Sequence, residues 1–159
     1  QLQTLYEDIR LLSRMLVFPI EKRTNVQLKL DELGFGKIAK YLVSAERYLE
    51  SKPSITEDSL ANCRKVIDQL VQELSLKVGI KPTRYFSRDV ASLGKNFPNV
   101  VDEGVRRILL GVYSFLSVKG SHPPESTVSE RDAAFGLDQT YRAVEYVLEK
   151  YVEFKSKKC

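Results

Sequence analysis

The sequence predicts an all-α fold, a single helical bundle of about five to six helices. Apolar residues recur at alternating three- and four-residue steps along most of the chain, which is the spacing of a buried helix face. No alternating run is long enough to form a sheet, and neither an internal repeat nor a linker interrupts the pattern. The chain has 159 residues, the length of one typical domain, so we expect residues 1–159 to form a single helical domain.

A leucine-rich helix opens the chain and is predicted to end at Phe18-Pro19, because proline disfavours a helical conformation in the residue before it. Its apolar face consists of Leu2, Leu5, Ile9, Leu12 and Leu16. Residues 22–35 fit both a strand and a helix, and we predict an irregular or weakly helical connection there. Helical spacing returns over residues 38–49 and stops at Lys52-Pro53.

The next predicted helix carries a long apolar face over residues 60–78 and ends at Gly79. Ser54 and Glu57 stand before it at the spacing of a capping box. These signals together predict a helix with one long apolar face.

Three more helices complete the predicted bundle. A short one covers residues 84–93 and stops at Gly94, and a longer one covers residues 99–118. Ser129, three residues before Asp132, is a candidate cap for the last helix. The predicted core consists of Leu60, Ile67, Leu70, Leu74, Val105, Ile108, Val112, Leu137, Val144 and Leu148.

Composition limits the classes of protein that fit. Apolar residues make up 43% and charged residues 29%, which excludes a disordered or fibrous chain. No apolar run reaches the ~18 residues of a membrane span, so we expect no membrane partner. Two cysteines and one histidine are too few for a zinc site, and we predict no metal and no cofactor. The cysteine usage fits a reducing compartment and predicts a cytoplasmic protein. The chain begins at Gln1, which predicts that it belongs to a longer protein with other domains.

Positive charge is concentrated between Lys77 and Lys95, where five basic residues stand against one acid and the whole chain carries only +4. Tyr85 and Phe86 lie among them, and this mixture suits phosphate contacts combined with base stacking. The candidate nucleic-acid-binding residues are Lys77, Lys81, Arg84, Tyr85, Arg88 and Lys95. In the alternative interpretation, both aromatic residues anchor the core and the basic residues form a solvated face.

The single histidine, His122, lies in a polar segment between two predicted helices. A histidine there can act as an acid or a base near neutral pH, with Lys119 stabilising negative charge and Ser121 in support. The alternative is a histidine that hydrogen-bonds a helix end or simply lies at the surface. Because the chain has one imidazole, a mechanism that needs two requires a dimer.

These residues carry a family resemblance. The string Tyr113-Ser-Phe-Leu-Ser-Val-Lys-Gly-Ser-His-Pro123, followed by Asp132-Ala-Ala-Phe-Gly-Leu-Asp-Gln-Thr-Tyr141, resembles the C-terminal half of HEPN domains, above all the branch found in abortive-infection and other defence proteins. The string Leu60-Ala-Asn-Cys-Arg-Lys-Val-Ile-Asp-Gln-Leu70 is similar to their first long helix. The resemblance covers about residues 54–151 and implies an all-α bundle that forms a homodimer, often with metal-independent RNA cleavage.

The HEPN active motif places an arginine a few residues before a histidine, with the two copies of a dimer facing each other. His122 matches that histidine, whereas the positions for the arginine hold Ser117, Leu116 and Phe115. The resemblance therefore implies the fold and the dimer, while its catalytic arginine is missing.

Three functions remain open. The first is a non-catalytic HEPN-like module for dimerisation or nucleic-acid binding in a larger defence or RNA-related protein. The second is a metal-independent endoribonuclease that pairs His122 across a dimer, with RNA as its partner. The third is a helical protein-interaction adaptor.

Overall fold

The computed structural model describes residues 2–5, 7, 18–120 and 128–157. Six helices of more than ten residues occur in the two long stretches, and the described residues contain no strand, which confirms the all-α bundle. The helices are α1 Ile20–Glu32, α2 Gly36–Glu50, α3 Thr56–Lys77, α4 Phe86–Asn96, α5 Glu103–Gly120 and α6 Glu130–Lys157. None of the described helices is long and apolar enough to cross a membrane.

Helix α3 is central and packs against α2, α4, α5 and α6. Two hydrogen bonds fix the position of α3 relative to the neighbouring helices. Ser59 Oγ donates to the carbonyl oxygen of Ala45 (2.8 Å), and Thr56 Oγ1 donates to that of Val128 (2.8 Å). The first bond joins the start of α3 to the later part of α2, as expected for antiparallel neighbours. The second joins the starts of α3 and α6, so these two helices run in the same direction.

The predicted core is confirmed with one exception. Nine of its ten residues are buried or pack partly buried against the core, whereas Ile108 is 39% exposed. Leu109 takes the inward position instead, together with Val105 and Leu116. The predicted face of α5 was therefore too wide, because Ile108 lies at its edge, where the side chain is only partly covered. Each fully buried leucine or valine contributes about 1.5–3 kcal/mol to folding.

Helix α6 packs closely against α3 and α5 at Gly136. A Cβ atom on this glycine would lie 2.5 Å from Leu60 Cδ2 and 3.1 Å from Leu116 Cδ2. Both leucines are fully buried, so neither side chain has free space beside it. The absence of a side chain at Gly136 is what allows the three helices to meet.

Several predicted boundaries were wrong. Residues 20–32 form the regular helix α1, in which Val26 and Leu30, four residues apart, are buried. Helix α4 begins at Phe86 rather than Arg84 and continues past Gly94 to Asn96. A helical glycine costs about 1 kcal/mol relative to alanine, which is too little to stop a helix whose other residues pack on the core.

The two predicted helix caps had different outcomes. Ser129 caps α6 as predicted, since the backbone N–H of Asp132 donates to its Oγ (3.0 Å). Ser54 does not cap α3, because its Oγ donates to the carbonyl oxygen of Leu49 (2.7 Å). It completes the end of α2 instead, and Ile55 stands at the cap position of α3 without a side-chain hydrogen bond.

The N-terminal leucine face is described only in part. Residues 2–5 and 7 are helical, and Leu2 and Leu5 are exposed. The remaining members of that face lie outside the described residues.

Candidate nucleic-acid interface

The basic segment, residues 77–95, consists of the last residue of α3, the loop of residues 78–85 and nearly all of helix α4. Its turn into α4 is held by Asp89, a buried carboxylate that accepts hydrogen bonds from the backbone N–H (2.8 Å) and Oγ1 (2.9 Å) of Thr83. The backbone N–H of Tyr85 in turn donates to Thr83 Oγ1 (3.0 Å). These bonds fix the backbone of the turn, and with it the direction in which the next side chains leave the helix.

Tyr85 and Phe86 differ in burial, although both line the same groove. Phe86 is buried and its ring is stacked on that of Tyr113, with 3.8 Å between the centroids and 12° between the planes. Tyr85 remains 59% exposed, and the guanidinium carbon of Arg88 lies 4.7 Å from its ring centroid. The interpretation of these aromatics as core anchors is thus confirmed for Phe86 and wrong for Tyr85.

An open groove of about 500 Å³ runs between the start of α4 and the outer face of α5. Phe86 and Tyr113 provide its aromatic lining, and Arg84 and Tyr85 stand among its α4-side residues. Hydroxyl groups come from Ser87, Ser114 and Ser117. The groove therefore combines ring surface, hydrogen-bonding groups and a cation.

A further cation lies beside the groove on α3. The guanidinium carbon of Arg64 is 5.9 Å from the ring centroid of Tyr113. None of the side chains that line the groove in the described structure is a carboxylate. Two acids outside the lining have other contacts. Asp89 is buried and accepts hydrogen bonds from Thr83, and partial burial raises the pKa of Asp68 although its hydrogen bond from Gln72 and the charge of Arg64 lower it. The described lining of the groove thus carries one cation, Arg84, and no carboxylate.

The predicted nucleic-acid-binding residues do not all lie in one place. Arg84, Tyr85 and Arg88 come together at the start of α4. Lys81 is exposed in the loop before them, and Lys95 is exposed in the last turn of α4. Lys77 belongs to a different surface, because its Nζ lies 4.8 Å from the ring centroid of Phe35 at the turn between α1 and α2.

The predicted catalytic residues are described only in part, since His122 and Ser121 lie outside the described residues. Lys119 is described, and its Nζ is 3.7 Å from Asp132 Oδ2. This ion pair sets the ammonium beside a carboxylate at the start of α6, which competes with any phosphate for the same charge.

The positions that would hold the motif arginine are occupied by side chains with other contacts. Leu116 is fully buried, and Phe115 packs edge-to-face on Phe135 with 5.1 Å between ring centroids. Ser117 lines the groove and offers a hydroxyl in place of a cation.

Sequence reasoning missed Arg64 and the α5 side of the groove. The α5 residues in the groove are Leu110, Tyr113, Ser114, Ser117 and Val118. Their spacing is that of a second helix face, beside the buried one that includes Leu109 and Leu116. That spacing is a usable signal, whereas the approach of Arg64 depends on the packing of α3 against α5.

No group of three or more histidine, cysteine, aspartate or glutamate side chains able to hold a metal ion occurs among the described residues. No protein-family model, no curated protein and no solved structure matches this chain.

Proposed function

We propose that this chain is a non-catalytic, HEPN-like module that binds single-stranded nucleic acid, RNA above all, as part of a larger defence or RNA-related protein. The observation that carries the proposal is the pairing of Arg88 with Tyr85, a residue that lines the α4–α5 groove. An exposed ring beside a guanidinium offers a stacking surface for a base and a charge for its phosphate.

The exposed ring of Tyr85 determines which form of nucleic acid, single-stranded or duplex, the site should bind. A tyrosine can stack on a base only when the base is unstacked from its neighbours, which favours single strands, loops and ends over a duplex. Base–aromatic stacking contributes about 1–3 kcal/mol per base and depends little on sequence. The serine hydroxyls of the groove add hydrogen-bonding groups without selecting one base.

We propose that the chain is not catalytic because the described candidate residues do not supply a free cation. Metal-independent RNA cleavage needs proton transfer at two oxygens and a cation for the negative charge that develops on phosphorus. The described candidate for that cation, Lys119, is paired with Asp132. Leu116 and Phe115 supply none, since both are apolar and packed against other side chains.

The proposal includes a homodimer, which the HEPN resemblance implies. Light scattering on the purified chain measures its mass directly. A monomer at the concentrations used for RNA binding would remove the dimer from the proposal and leave the groove unaffected.

Fluorescence anisotropy with a labelled single-stranded RNA of about 12 nucleotides tests the binding site. Tyr85→Ala and Arg88→Ala should each weaken binding about 5- to 100-fold, and the duplex form of the same RNA should bind more weakly than the single strand. Two matched controls are available. Tyr146 is another exposed tyrosine with a cation over its ring, the Nζ of Lys150 at 5.6 Å, and Arg107 is another exposed arginine.

Tyr146→Ala and Arg107→Ala should leave the affinity within about twofold of the parent. Equal losses in the α4 variants and in these controls would contradict a site at the α4–α5 groove. Absence of binding to any RNA or DNA at low salt would contradict the proposed function as a whole.

A further inference from the structure

A second groove, of about 550 Å³, lies between α1 and α6, and its floor includes the core residues Val26 and Leu148. Its apolar lining is formed by Val26 and Leu28 from α1 and by Leu148 and Val152 from α6. Leu28 is 55% exposed, so a large aliphatic side chain faces solvent at the edge of an apolar depression. Nothing in the packing of α1 requires that arrangement, because Val26 and Leu30 already bury its inner face.

The charge of this groove is opposite to that of the chain. Glu145, Glu149 and Glu153 follow one another at four-residue intervals along α6 and all line it, and Glu32 lines it from α1. Like charges four residues apart destabilise a helix, so the row opposes the folding of α6.

Part of this negative charge is uncompensated. Lys29 pairs with Glu32 (3.8 Å) and Lys157 with Glu153 (3.0 Å), but Glu145 and Glu149 form no ion pair with any described residue. Two free carboxylates therefore border the apolar lining on its α6 side.

We infer that this groove docks a basic amphipathic helix of a partner protein. An aliphatic lining takes the apolar face of such a helix, and the glutamates on α6 pair with lysine or arginine side chains along one of its edges. The site is independent of the nucleic-acid interface, because it uses α1 and α6 whereas that interface uses α4 and α5.

The length of the groove along α6 determines the spacing of apolar and basic residues expected in the partner helix. Glu145 and Glu153 are eight residues apart, or about 12 Å along α6. That length matches two turns of a docked helix, whose apolar anchors at positions i, i+4 and i+7 span about 10 Å. The expected partner segment therefore has three apolar anchors and basic residues flanking them on the side that meets α6.

The test uses a fluorescein-labelled model helix with leucines at i, i+4 and i+7 and lysines along one flank, and a second peptide with glutamates in place of the lysines. Anisotropy should show saturable binding of the lysine peptide only. In the protein, Glu149→Lys and Leu28→Asn should each weaken that binding about 3- to 10-fold. Both substituted residues are exposed, so the folded structure should persist, and circular dichroism checks that it does.

Matched controls are Glu50→Lys, at an exposed glutamate on α2, and Leu76→Asn, at an exposed leucine on α3. Binding within about twofold of the parent in both controls supports the site. Equal affinity for the two peptides, no saturable binding of the lysine peptide, or equal losses in the controls would overturn the inference. A concentration-dependent dimer lost in Leu28→Asn would overturn it too, because the groove would then be a contact between copies of this chain.

Discussion

The hydroxyl of Tyr141 donates a hydrogen bond to Glu46 Oε1 across 2.6 Å and so joins α6 to α2 through two side chains. Gln27 Nε2 donates to the same hydroxyl oxygen (2.7 Å), which brings α1 into the link. The ring of Tyr141 is fully buried and stacks on Phe18. Burial and the neighbouring carboxylate of Glu46 raise the pKa of Tyr141 far above its ordinary value, so the phenol remains a donor at any physiological pH.

Removing this hydroxyl tests how much the link stabilises the bundle. Tyr141→Phe should lower the free energy of unfolding by about 1–3 kcal/mol, because the charged and partly buried Glu46 loses a hydrogen bond. Urea denaturation followed by circular dichroism measures the change. Tyr151→Phe is the control at a buried tyrosine for which the described structure shows no hydroxyl hydrogen bond, and its effect should be a few tenths of a kcal/mol. Equal effects of the two substitutions would contradict the role of the link.

The close approach at Gly136 gives a second prediction. Gly136→Ala should destabilise the protein by about 1–3 kcal/mol, since the new Cβ would overlap Leu60 in a packed core and outweigh the higher helix propensity of alanine. Gly111 is the matched control, because it is also helical and a Cβ there meets no atom within 4 Å. Gly111→Ala should stabilise by about 0.5–1 kcal/mol. Thermal melts of both variants measure these opposite signs, and a stabilising Gly136→Ala would show that the helices have room to separate.

The thiol of Cys63 predicts a loss of stability at alkaline pH. Complete burial raises the pKa of Cys63 from 9.0 to about 12, so the folded protein keeps a proton that the unfolded chain releases from about pH 9. Stability from this group is complete below pH 9 and is lost as the pH rises toward 12, by up to about 1.4 kcal/mol per pH unit.

Urea denaturation at several pH values measures that slope. In a Cys159→Ser background Cys63 is the only thiol, and adding Cys63→Ala should make the fall above pH 9 less steep. Parallel curves for the two proteins would show that Cys63 does not keep its proton in the folded state.

The charge at the α4–α5 groove predicts a salt-dependent affinity. If Lys81, Arg84 and Arg88 each contact a phosphate, the logarithm of the RNA association constant should fall against log salt with a slope of about −2. Changing all three to glutamate should abolish binding and leave the fold intact, since the three side chains are exposed. The control reverses three exposed charges on α2: Lys37, Lys40 and Arg47. Salt-independent binding, or the same loss in the control, would contradict phosphate contacts by these residues.

The protein is expected not to cleave RNA. RNA incubated with the protein in the presence of a chelator should remain intact, because the candidate cation Lys119 is paired with Asp132. Each missing electrostatic donor typically lowers a rate by about 10²–10³. Gel electrophoresis of a labelled RNA measures this. Chelator-resistant cleavage that disappears in both His122→Ala and Lys119→Ala would establish the endoribonuclease alternative.

The helical period predicted α2, α3, α5 and α6 because each of these helices buries one continuous face. It did not decide between helix and strand for α1, where Val26 and Leu30 are buried and Leu28 is exposed. Three aliphatic residues at every second position imitate a strand, although Leu28 is exposed beside the second groove, between α1 and α6. A single sequence does not distinguish a helix with one exposed leucine from strand alternation.

The candidate site was predictable where it is local. Charge and aromatic content alone identified Arg84, Tyr85 and Arg88, which are neighbours in the chain and in space. The different burial of Tyr85 and Phe86 was not predictable, because it depends on the tertiary packing of Phe86 on Tyr113. The separation of Lys77 from this group depends equally on tertiary structure, since it follows from the contact of Lys77 with Phe35.

Because the hydrogen bonds between Asp89 and Thr83 hold the turn, selection for the fold and selection for the exposed surface act on different residues of this segment. The buried carboxylate maintains the turn, whereas the side chains on its outer surface play no part in maintaining it. Substitutions at Arg84, Tyr85 or Arg88 should therefore leave the fold intact, so the chemistry of this surface can differ between related chains while their architecture stays the same. Asp89 and Thr83 should be retained across such relatives, and variation among them should concentrate on the exposed positions of the same turn.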